Sequence, residues 1–261
     1  MEPILSQKQL CEKLHPFFNP IVADQVDSTS TWLKEHASSF PEGTVLFARK
    51  QTAGKGRNGN RFCSQPDKGL YFSLLLKPET SKELFLPVSL LCAAAAASAL
   101  NELYAMDCQI KWVNDLMAGG RKIGGILCES LPISKTRQAL IIGIGINVYH
   151  QTFPEDLQKT AGCVQEFAPQ ADIHDIAAAI LNRLYHFHTN KTSEEIHGVY
   201  MDCFGLQNQT VTVIEPAESY EAKVLDVDLQ GRLIVQKEHK KISLVSSEIH
   251  IRQANLPSDS D

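Results

Sequence analysis

The sequence lacks long apolar runs, paired-cysteine motifs and an excess of positive charge, and each absence excludes a class of protein. The alanine-rich run from Leu90 to Leu100 is too short to span a bilayer. The seven cysteines are scattered and odd in number, and none forms a C-x-x-C or Cys/His cluster, so we expect reduced thiols. The net charge of -5 argues against bulk nucleic-acid binding. With no signal-peptide core near Met1, the sequence predicts a cytoplasmic protein that binds neither membrane nor nucleic acid.

Length and patterning predict two domains of unequal size. The 261 residues suffice for one large core and a smaller one, and 43% apolar content is ordinary for a globular protein. Helical and strand patterns alternate up to residue 206, which predicts an α+β domain with a mixed, largely antiparallel sheet flanked by helices. From Gln209 onward only short alternating strands remain, so residues 207–255 are predicted to form a small β-barrel, followed by a disordered tail over 256–261.

Several helices are predicted from their caps and periodicity. A short helical pattern runs from Ser6 to Leu14 and is closed by Pro16. The hydroxyls at residues 28–30 are suited to cap a helix that continues towards Ala37, and this capping role alone explains them. Further helices are predicted over 88–104, over 172–188 with Asp172 as N-cap, and over 193–203.

A glycine-rich cationic loop, residues 54–61, separates two runs that are predicted to be strands. Its glycines allow the backbone to approach a ligand closely, while Lys55, Arg57 and Arg61 supply positive charge, so the loop is suited to hold a small anion. The loop matches G-x-G-x-x-G, but a strand rather than a helix follows, which argues against a dinucleotide fold. It also lacks the Lys-Ser/Thr ending of a P-loop, and the chain has no H-R-D or D-F-G kinase motif.

A second polar cluster lies within apolar strand patterns between residues 109 and 130. Gly119-Gly120 predicts a hairpin between strands over 111–117 and 121–129. Polar groups inside a sheet need partners or a ligand, and four of them suggest a site: Lys111, Asn114, Asp115 and Lys122. The later strand over 139–147 has Gly143 and Gly145 two positions apart, which leaves one face without side chains next to Asn147.

These motifs, taken in order, resemble those of the biotin protein ligases, in the form without an N-terminal DNA-binding repressor domain. Ser28-Thr29-Ser30 resembles the family's S-T-N, residues 54–60 its G-R-G-R-x-G-R, residues 111–129 its K-W-P-N-D…K-x-x-G-I-L-x-E, and residues 143–147 its G-x-G-x-N. The resemblance covers most of the chain. It implies a class II synthetase-like catalytic domain followed by an SH3-like barrel.

The resemblance also implies an activity and its residues. Such enzymes use MgATP to convert biotin into biotinyl-5′-AMP and then transfer biotin to a lysine of a biotin carboxyl carrier domain, that of acetyl-CoA carboxylase being the expected one. Lys122, Arg57 and Asp115 are the implied catalytic residues, with Asp115 also near Mg²⁺. The implied biotin contacts are Ser28, Thr29, Ser30, Gln51, Gly54, Lys55, Gly56, Arg57, Lys122 and Gly125. The implied ATP contacts are Arg57, Phe62, Lys111, Asn114, Asp115, Lys122, Asn147 and Arg252.

The chain departs from the family pattern at Ser30, Lys55, Asn58, Asn60 and Val113. Lysine in place of arginine keeps the charge but loses the bidentate guanidinium, so a weaker hold on the adenylate is expected. Two other interpretations stay open from the sequence: a lipoate-protein ligase, which performs the same adenylation on another acid, and a module that binds nucleotide or carrier protein without turnover. A homodimer is also compatible with the sequence, and operator binding is not expected.

Overall fold

The computed structural model describes residues 4–78, 85–133, 137–215, 218–245 and 250–253. Its helices are α1 (Gln7–Lys13), α2 (Thr29–His36), α3 (Phe85–Tyr104), α4 (Ile173–Asn190) and α5 (Ser193–Asp202). The strands of the first sheet are β1 (Asn19–Val26), β2 (Thr44–Gln51), β3 (Gly69–Leu76), β4 (Gln109–Lys111), β5 (Asp115–Ala118), β6 (Arg121–Pro132) and β7 (Gln138–Asn147). Those of the second are β8 (Thr210–Ile214), β9 (Ser219–Val227), β10 (Leu233–Lys237), β11 (Lys240–Leu244) and β12 (His250–Gln253).

The first sheet has the order β1-β2-β3-β7-β6-β5-β4, which confirms the predicted mixed α+β architecture. β1 and β2 are parallel and are joined through α2, whereas the other neighbouring strands are antiparallel. Side chains alternate between the two faces of each strand. Phe47 and Ile142 therefore face the core with α3 and α4, while Leu46 and Ile141 pack with Leu33 of α2 on the opposite face.

The long helix α3 packs closely against the sheet because its central residues are small. Residues 93–97 are all alanine and are fully buried. Alanine has the best helix propensity and brings the helix backbone close to its neighbours. The predicted helix over 88–104 is confirmed, although it begins three residues earlier, at Phe85. Among the described residues, no helix is both long enough and apolar enough to cross a membrane.

Two sequence expectations about strands were wrong. The predicted strand over 111–117 is two antiparallel strands, β4 and β5, separated by a turn at residues 112–114. The apolar pattern continues through this turn because Trp112 and Val113 are themselves buried, so the periodicity gave no sign of the break. The strand β1, which contains Pro20, was not predicted from the sequence. Proline is tolerated there because β1 is an edge strand of the sheet.

The second sheet has the order β11-β10-β9-β8-β12 and is antiparallel throughout. This agrees with the expected SH3-like arrangement of short strands. Within the described residues, β11 and β12 lie at opposite edges and do not pair, so the sheet is open rather than a closed barrel. The predicted domain boundary near residue 206 stays a prediction, and the predicted tail lies outside the described residues.

A buried hydrogen bond connects the two sheets. The Trp112 indole Nε1 donates to the Gly231 carbonyl oxygen in the turn between β9 and β10, at 3.0 Å. Trp112 is only 7% exposed and also lines the cavity described below. The C-terminal sheet is therefore fixed to a residue of the cavity wall.

We expect Trp112→Phe to lower the free energy of unfolding by about 1 to 3 kcal/mol, because the Gly231 carbonyl would stay buried without its donor. Urea unfolding followed by circular dichroism measures the change. The matched control is Trp32→Phe, which changes the second tryptophan but keeps an aromatic ring to stack on His36. Equal losses in the two variants would contradict the role given to the indole donor.

Candidate active site

A cavity of about 230 Å³ opens where the cationic loop meets the start of α2 and strands β4 to β7. Thirteen of the sequence-predicted site residues line it, although they come from four separate segments of the chain. These residues are Ser28, Thr29, Ser30, Gln51, Lys55, Gly56, Arg57, Phe62, Lys111, Asn114, Asp115, Lys122 and Gly125. The fold thus brings together the two polar clusters that the sequence presented separately.

Three other predicted residues are not among the described lining residues. The Gly54 carbonyl accepts a hydrogen bond from the Phe62 backbone. Asn147 is buried, and its Nδ2 donates to the Gly162 carbonyl at 3.0 Å. Arg252 lies in β12 opposite Thr212, but its side chain lies outside the described part of the chain. Their predicted ligand contacts stay predictions.

The cationic loop is a small hairpin. The Phe62 N–H donates to Gly54, and the Gly56 N–H donates to Asn60 at 2.8 Å, with a bridge between Lys55 and Arg61. A single 3₁₀ turn, Arg57–Gly59, forms its tip, and Gly59 has a φ of 77°. Glycine adopts this left-handed conformation without steric penalty. The hairpin therefore places Arg57 in the wall of the cavity.

Arg57 and Lys122 form a cationic end of the cavity. The Arg57 Nη1 donates to Asn114 Oδ1 at 2.9 Å, and Asn114 Nδ2 in turn donates to the Ile126 carbonyl at 2.6 Å. Lys122 Nζ lies 2.6 Å from Asp115 Oδ1. Burial lowers the pKa of the Arg57 guanidinium, and the nearby Asp115 carboxylate partly opposes this effect. Arginine nevertheless stays charged, so two cations face the same space.

The backbone of Lys122 is held by a segment that sequence reasoning missed. The Lys122 N–H donates to the Thr160 carbonyl at 2.7 Å, and the Gly162 N–H donates to the Lys122 carbonyl at 2.9 Å. The same Gly162 accepts from Asn147. Residues 160–162 lie in a polar loop with no motif, so nothing in the local sequence signals this contact. Asn147 thereby supports the segment that fixes Lys122.

Hydroxyl and amide groups form the other end of the cavity. The Thr29 N–H donates to Gln51 Oε1 at 2.8 Å, and Gln51 Nε2 donates to the Ser64 hydroxyl at 2.9 Å. The Ser73 hydroxyl lies 2.8 Å from Thr29 Oγ1 and 3.0 Å from Ser30 Oγ. Ser28 also caps α2, as predicted, since its side chain accepts from the Thr31 N–H. Ser64 and Ser73 were missed, although a lone serine in the apolar run of β3 is a usable signal.

The two glycines of β7 make room between these ends. A Cβ atom at Gly143 would lie 2.7 Å from Ser30 Oγ, and one at Gly145 would lie 2.7 Å from the Phe62 ring. Apolar groups complete the wall, namely Phe72, Ile126, Leu127 and Ile144. The cavity is thus suited to a molecule with a hydrogen-bonding head, an apolar body and an acidic end.

Comparisons with known proteins agree with the family that the sequence motifs resemble. Residues 22–147 match the model of the Biotin/lipoate A/B protein ligase family. The bifunctional ligase/repressor BirA of Bacillus subtilis is 36% identical over 151 residues, which cover 57% of this chain and 46% of that protein. The biotin--[acetyl-CoA-carboxylase] ligase of Paracoccus denitrificans is 32% identical over 126 residues, which cover 48% of this chain and 52% of that protein. These alignments span about half the length of each relative.

Among solved structures, a biotin protein ligase from Aquifex aeolicus, in complex with biotin and ATP, superposes with a TM-score of 0.77. It is 30% identical, and the match covers 90% of this chain and 99% of that one. The similarity therefore extends over both sheets rather than over the family model's range alone.

Proposed function

Because this chain belongs to the biotin protein ligase family, we propose that it activates biotin with ATP and transfers the biotinyl group to a lysine of a carrier protein. The observation that carries the proposal is the polarity of the cavity. Its hydroxyl and amide end suits the ureido ring, its apolar wall suits the thioether ring and acyl chain, and Arg57 and Lys122 face the carboxylate. All three sets of residues line one cavity.

In the first step, a carboxylate oxygen of biotin attacks the α-phosphorus of ATP. A bond forms between that oxygen and phosphorus, and the bond to the pyrophosphate oxygen breaks. Negative charge concentrates on the carboxylate and α-phosphate oxygens, where two anions approach each other. Lys122 and Arg57 stabilise this arrangement, because cations placed where negative charge concentrates lower its energy. The Asp115 contact and the loop hairpin hold both cations before ATP arrives.

In the second step, the amine of a carrier lysine attacks the acyl carbon of biotinyl-5′-AMP. A carbon–nitrogen bond forms, the bond to the phosphate oxygen breaks, and AMP leaves with that oxygen. The attacking amine must lose a proton, and Asp115 is the described carboxylate in the cavity wall that can accept it. The same carboxylate lies 2.6 Å from Lys122 Nζ, so the proton acceptor lies beside one of the two cations of the cavity.

The residues fit a magnesium ion that arrives with ATP. No group of three or more metal-ligating side chains occurs in the described part of the chain, and Asp115 is the acidic residue there that lines the cavity. Mg²⁺ commonly binds through one or two carboxylates together with substrate phosphates, which is consistent with this supply of ligands. When bound, the ion neutralises charge on the triphosphate.

Three further parts of the proposal concern specificity and partners. Of the two candidate acids, biotin is favoured over lipoate because the Paracoccus and Aquifex proteins compared above are named as biotin ligases and because the ring end carries many hydrogen-bonding groups. The carrier is proposed to be the biotin carboxyl carrier domain of acetyl-CoA carboxylase, in line with the name of the Paracoccus relative.

Phe62 is proposed to stack on adenine from its position over Gly145.

Exchange of radiolabelled pyrophosphate into ATP tests the proposal. The purified protein is incubated with ATP and biotin, with ATP and lipoate, or with ATP alone. Exchange that depends on biotin is expected. Exchange with lipoate only would replace the biotin assignment, and exchange with neither acid would favour a binding module without turnover.

We expect Gly143→Ala to raise the KM for biotin about tenfold, because the added methyl group would lie within van der Waals distance of the Ser30 hydroxyl and overpack the ring end. The exchange assay at varied biotin concentration measures the change. The control is Gly198→Ala, where a Cβ atom would meet no neighbour within 4 Å. A Gly143 variant with the parental KM would show that biotin does not use this end of the cavity.

A further inference from the structure

We propose that Ser73 is a positioning residue whose buried hydroxyl makes the Ser30 oxygen a hydrogen-bond acceptor for a ring N–H of the acid substrate. This inference rests on the proposed function, since it concerns how that cavity selects its acid. Ser73 lies in β3, is completely buried and is not among the described residues that line the cavity. It therefore acts through Ser30 rather than on the substrate.

Gln51 determines which group donates in each of these hydrogen bonds. Its side-chain Oε1 receives the Thr29 backbone N–H at 2.8 Å, and a backbone N–H can only donate. The accepting atom is therefore the amide oxygen, which cannot donate to Thr29. The amide nitrogen of Gln51 points the other way and donates to Ser64. Gln51 is thus a fixed acceptor at one end of the hydroxyl series.

Each following hydroxyl has one proton and is oriented in turn. Thr29 Oγ1 lies 3.2 Å from the same Gln51 oxygen and donates to it. Its oxygen then accepts the proton of Ser73 at 2.8 Å. Ser73 has no second proton, so at its 3.0 Å contact with Ser30 it accepts, and Ser30 donates. The Ser30 proton consequently points towards β3.

What Ser30 presents to the cavity is an oxygen with unshared electron pairs. Ser30 is among the lining residues, and Gly143 beside it has no side chain that would cover this oxygen. A ring N–H placed there forms a hydrogen bond. A ring oxygen or sulfur at the same place would face another acceptor and would stay unpaired in a buried site, which is unfavourable. The Ser73 hydroxyl thus favours a ureido ring over a dithiolane or a cyclic carbamate.

The test compares biotin with its two cyclic carbamate analogues, in each of which one ring N–H is replaced by oxygen of similar size. The kcat/KM for adenylation gives a preference for biotin over each analogue. We expect Ser73→Ala to lower that preference about tenfold for at least one analogue, because the Ser30 hydroxyl becomes free to rotate and donate to a ring oxygen. Ser73→Thr keeps a hydroxyl and is expected to restore the preference.

A merely structural role for Ser73 would lower kcat/KM for biotin and its analogues alike and leave their ratio unchanged, and that result would overturn the inference. If Ser73→Ala does not fold, Thr29→Val removes the hydroxyl between Gln51 and Ser73 and is expected to give the same loss of preference. An unchanged ratio in Thr29→Val would then count against the inference. Failure of the proposed function is a distinct outcome, since the parental protein would adenylate neither biotin nor its analogues.

Discussion

Replacing Lys122 by alanine is expected to slow biotin adenylation by about 3 kcal/mol in activation free energy, or roughly a hundredfold, as for the loss of other oxyanion donors. Lys122 Nζ faces the cavity from β6, where its backbone is held on both sides by residues 160–162. Lys122 faces the biotin carboxylate, and the repulsion that its charge relieves is greatest when the carboxylate and the α-phosphate approach each other. The effect should therefore appear in kcat rather than in the KM for biotin, and pre-steady-state formation of biotinyl-5′-AMP measures it.

The substitution also removes the partner of Asp115, so a control must separate chemistry from folding. Lys122→Arg keeps the charge at a different geometry and should recover part of the rate, while the exposed Lys159→Ala should match the parental protein. If Lys122→Ala adenylates biotin at the parental rate, with its fold intact by circular dichroism, Lys122 takes no part in the reaction.

Replacing Arg57 by glycine is expected to release biotinyl-5′-AMP before transfer. Arg57 lies in the turn at the tip of the hairpin, where it lines the cavity and donates a hydrogen bond to Asn114. A charge-assisted hydrogen bond to the phosphate contributes about 1.5 to 3 kcal/mol, so the adenylate should dissociate roughly ten to a hundred times faster. Released biotinyl-5′-AMP would react with lysines of bystander proteins such as serum albumin, and streptavidin blotting of albumin measures this labelling.

A neighbouring arginine provides the matched control for this loss of retention. Arg61→Gly removes a cation from the same hairpin that also lines the cavity but is more exposed. It should have a smaller effect on adenylate dissociation than Arg57→Gly. Equal retention of biotinyl-5′-AMP in the parental protein and Arg57→Gly would contradict the role proposed for Arg57.

The parts of the fold that sequence predicted best are those in which one residue type has a single structural use. Gly119 and Gly120 have φ values of 54° and 75°, as a tight hairpin turn requires, and the hairpin between β5 and β6 is where the sequence predicted it. The long alanine-rich helix and the cap at Asp172 were recognisable for the same reason. In the site, polar residues inside apolar strand patterns identified Lys111, Asn114, Asp115 and Lys122, whereas the family resemblance implied most of the other lining residues.

The parts that sequence did not predict depend on contacts between distant segments. Ser73 is a single hydroxyl in an apolar strand, and its partners are more than forty positions away in the chain. The two backbone hydrogen bonds that hold Lys122 come from residues 160–162, a loop without a motif. Asn147 supports that loop by donating to the Gly162 carbonyl. A local pattern can mark a residue such as Ser73 as unusual, but it carries no information on the partner, because tertiary packing alone brings the two together.

The path of one oxygen atom tests the central claim most directly. Biotin labelled with ¹⁸O in its carboxylate is incubated with the protein, ATP and a carrier domain, and the products are analysed by mass spectrometry. If the carboxylate attacks the α-phosphorus and the lysine then attacks the acyl carbon, the released AMP carries one labelled oxygen, and the pyrophosphate carries none. Label in inorganic phosphate, or unlabelled AMP alongside biotinylated carrier, would contradict the adenylation mechanism.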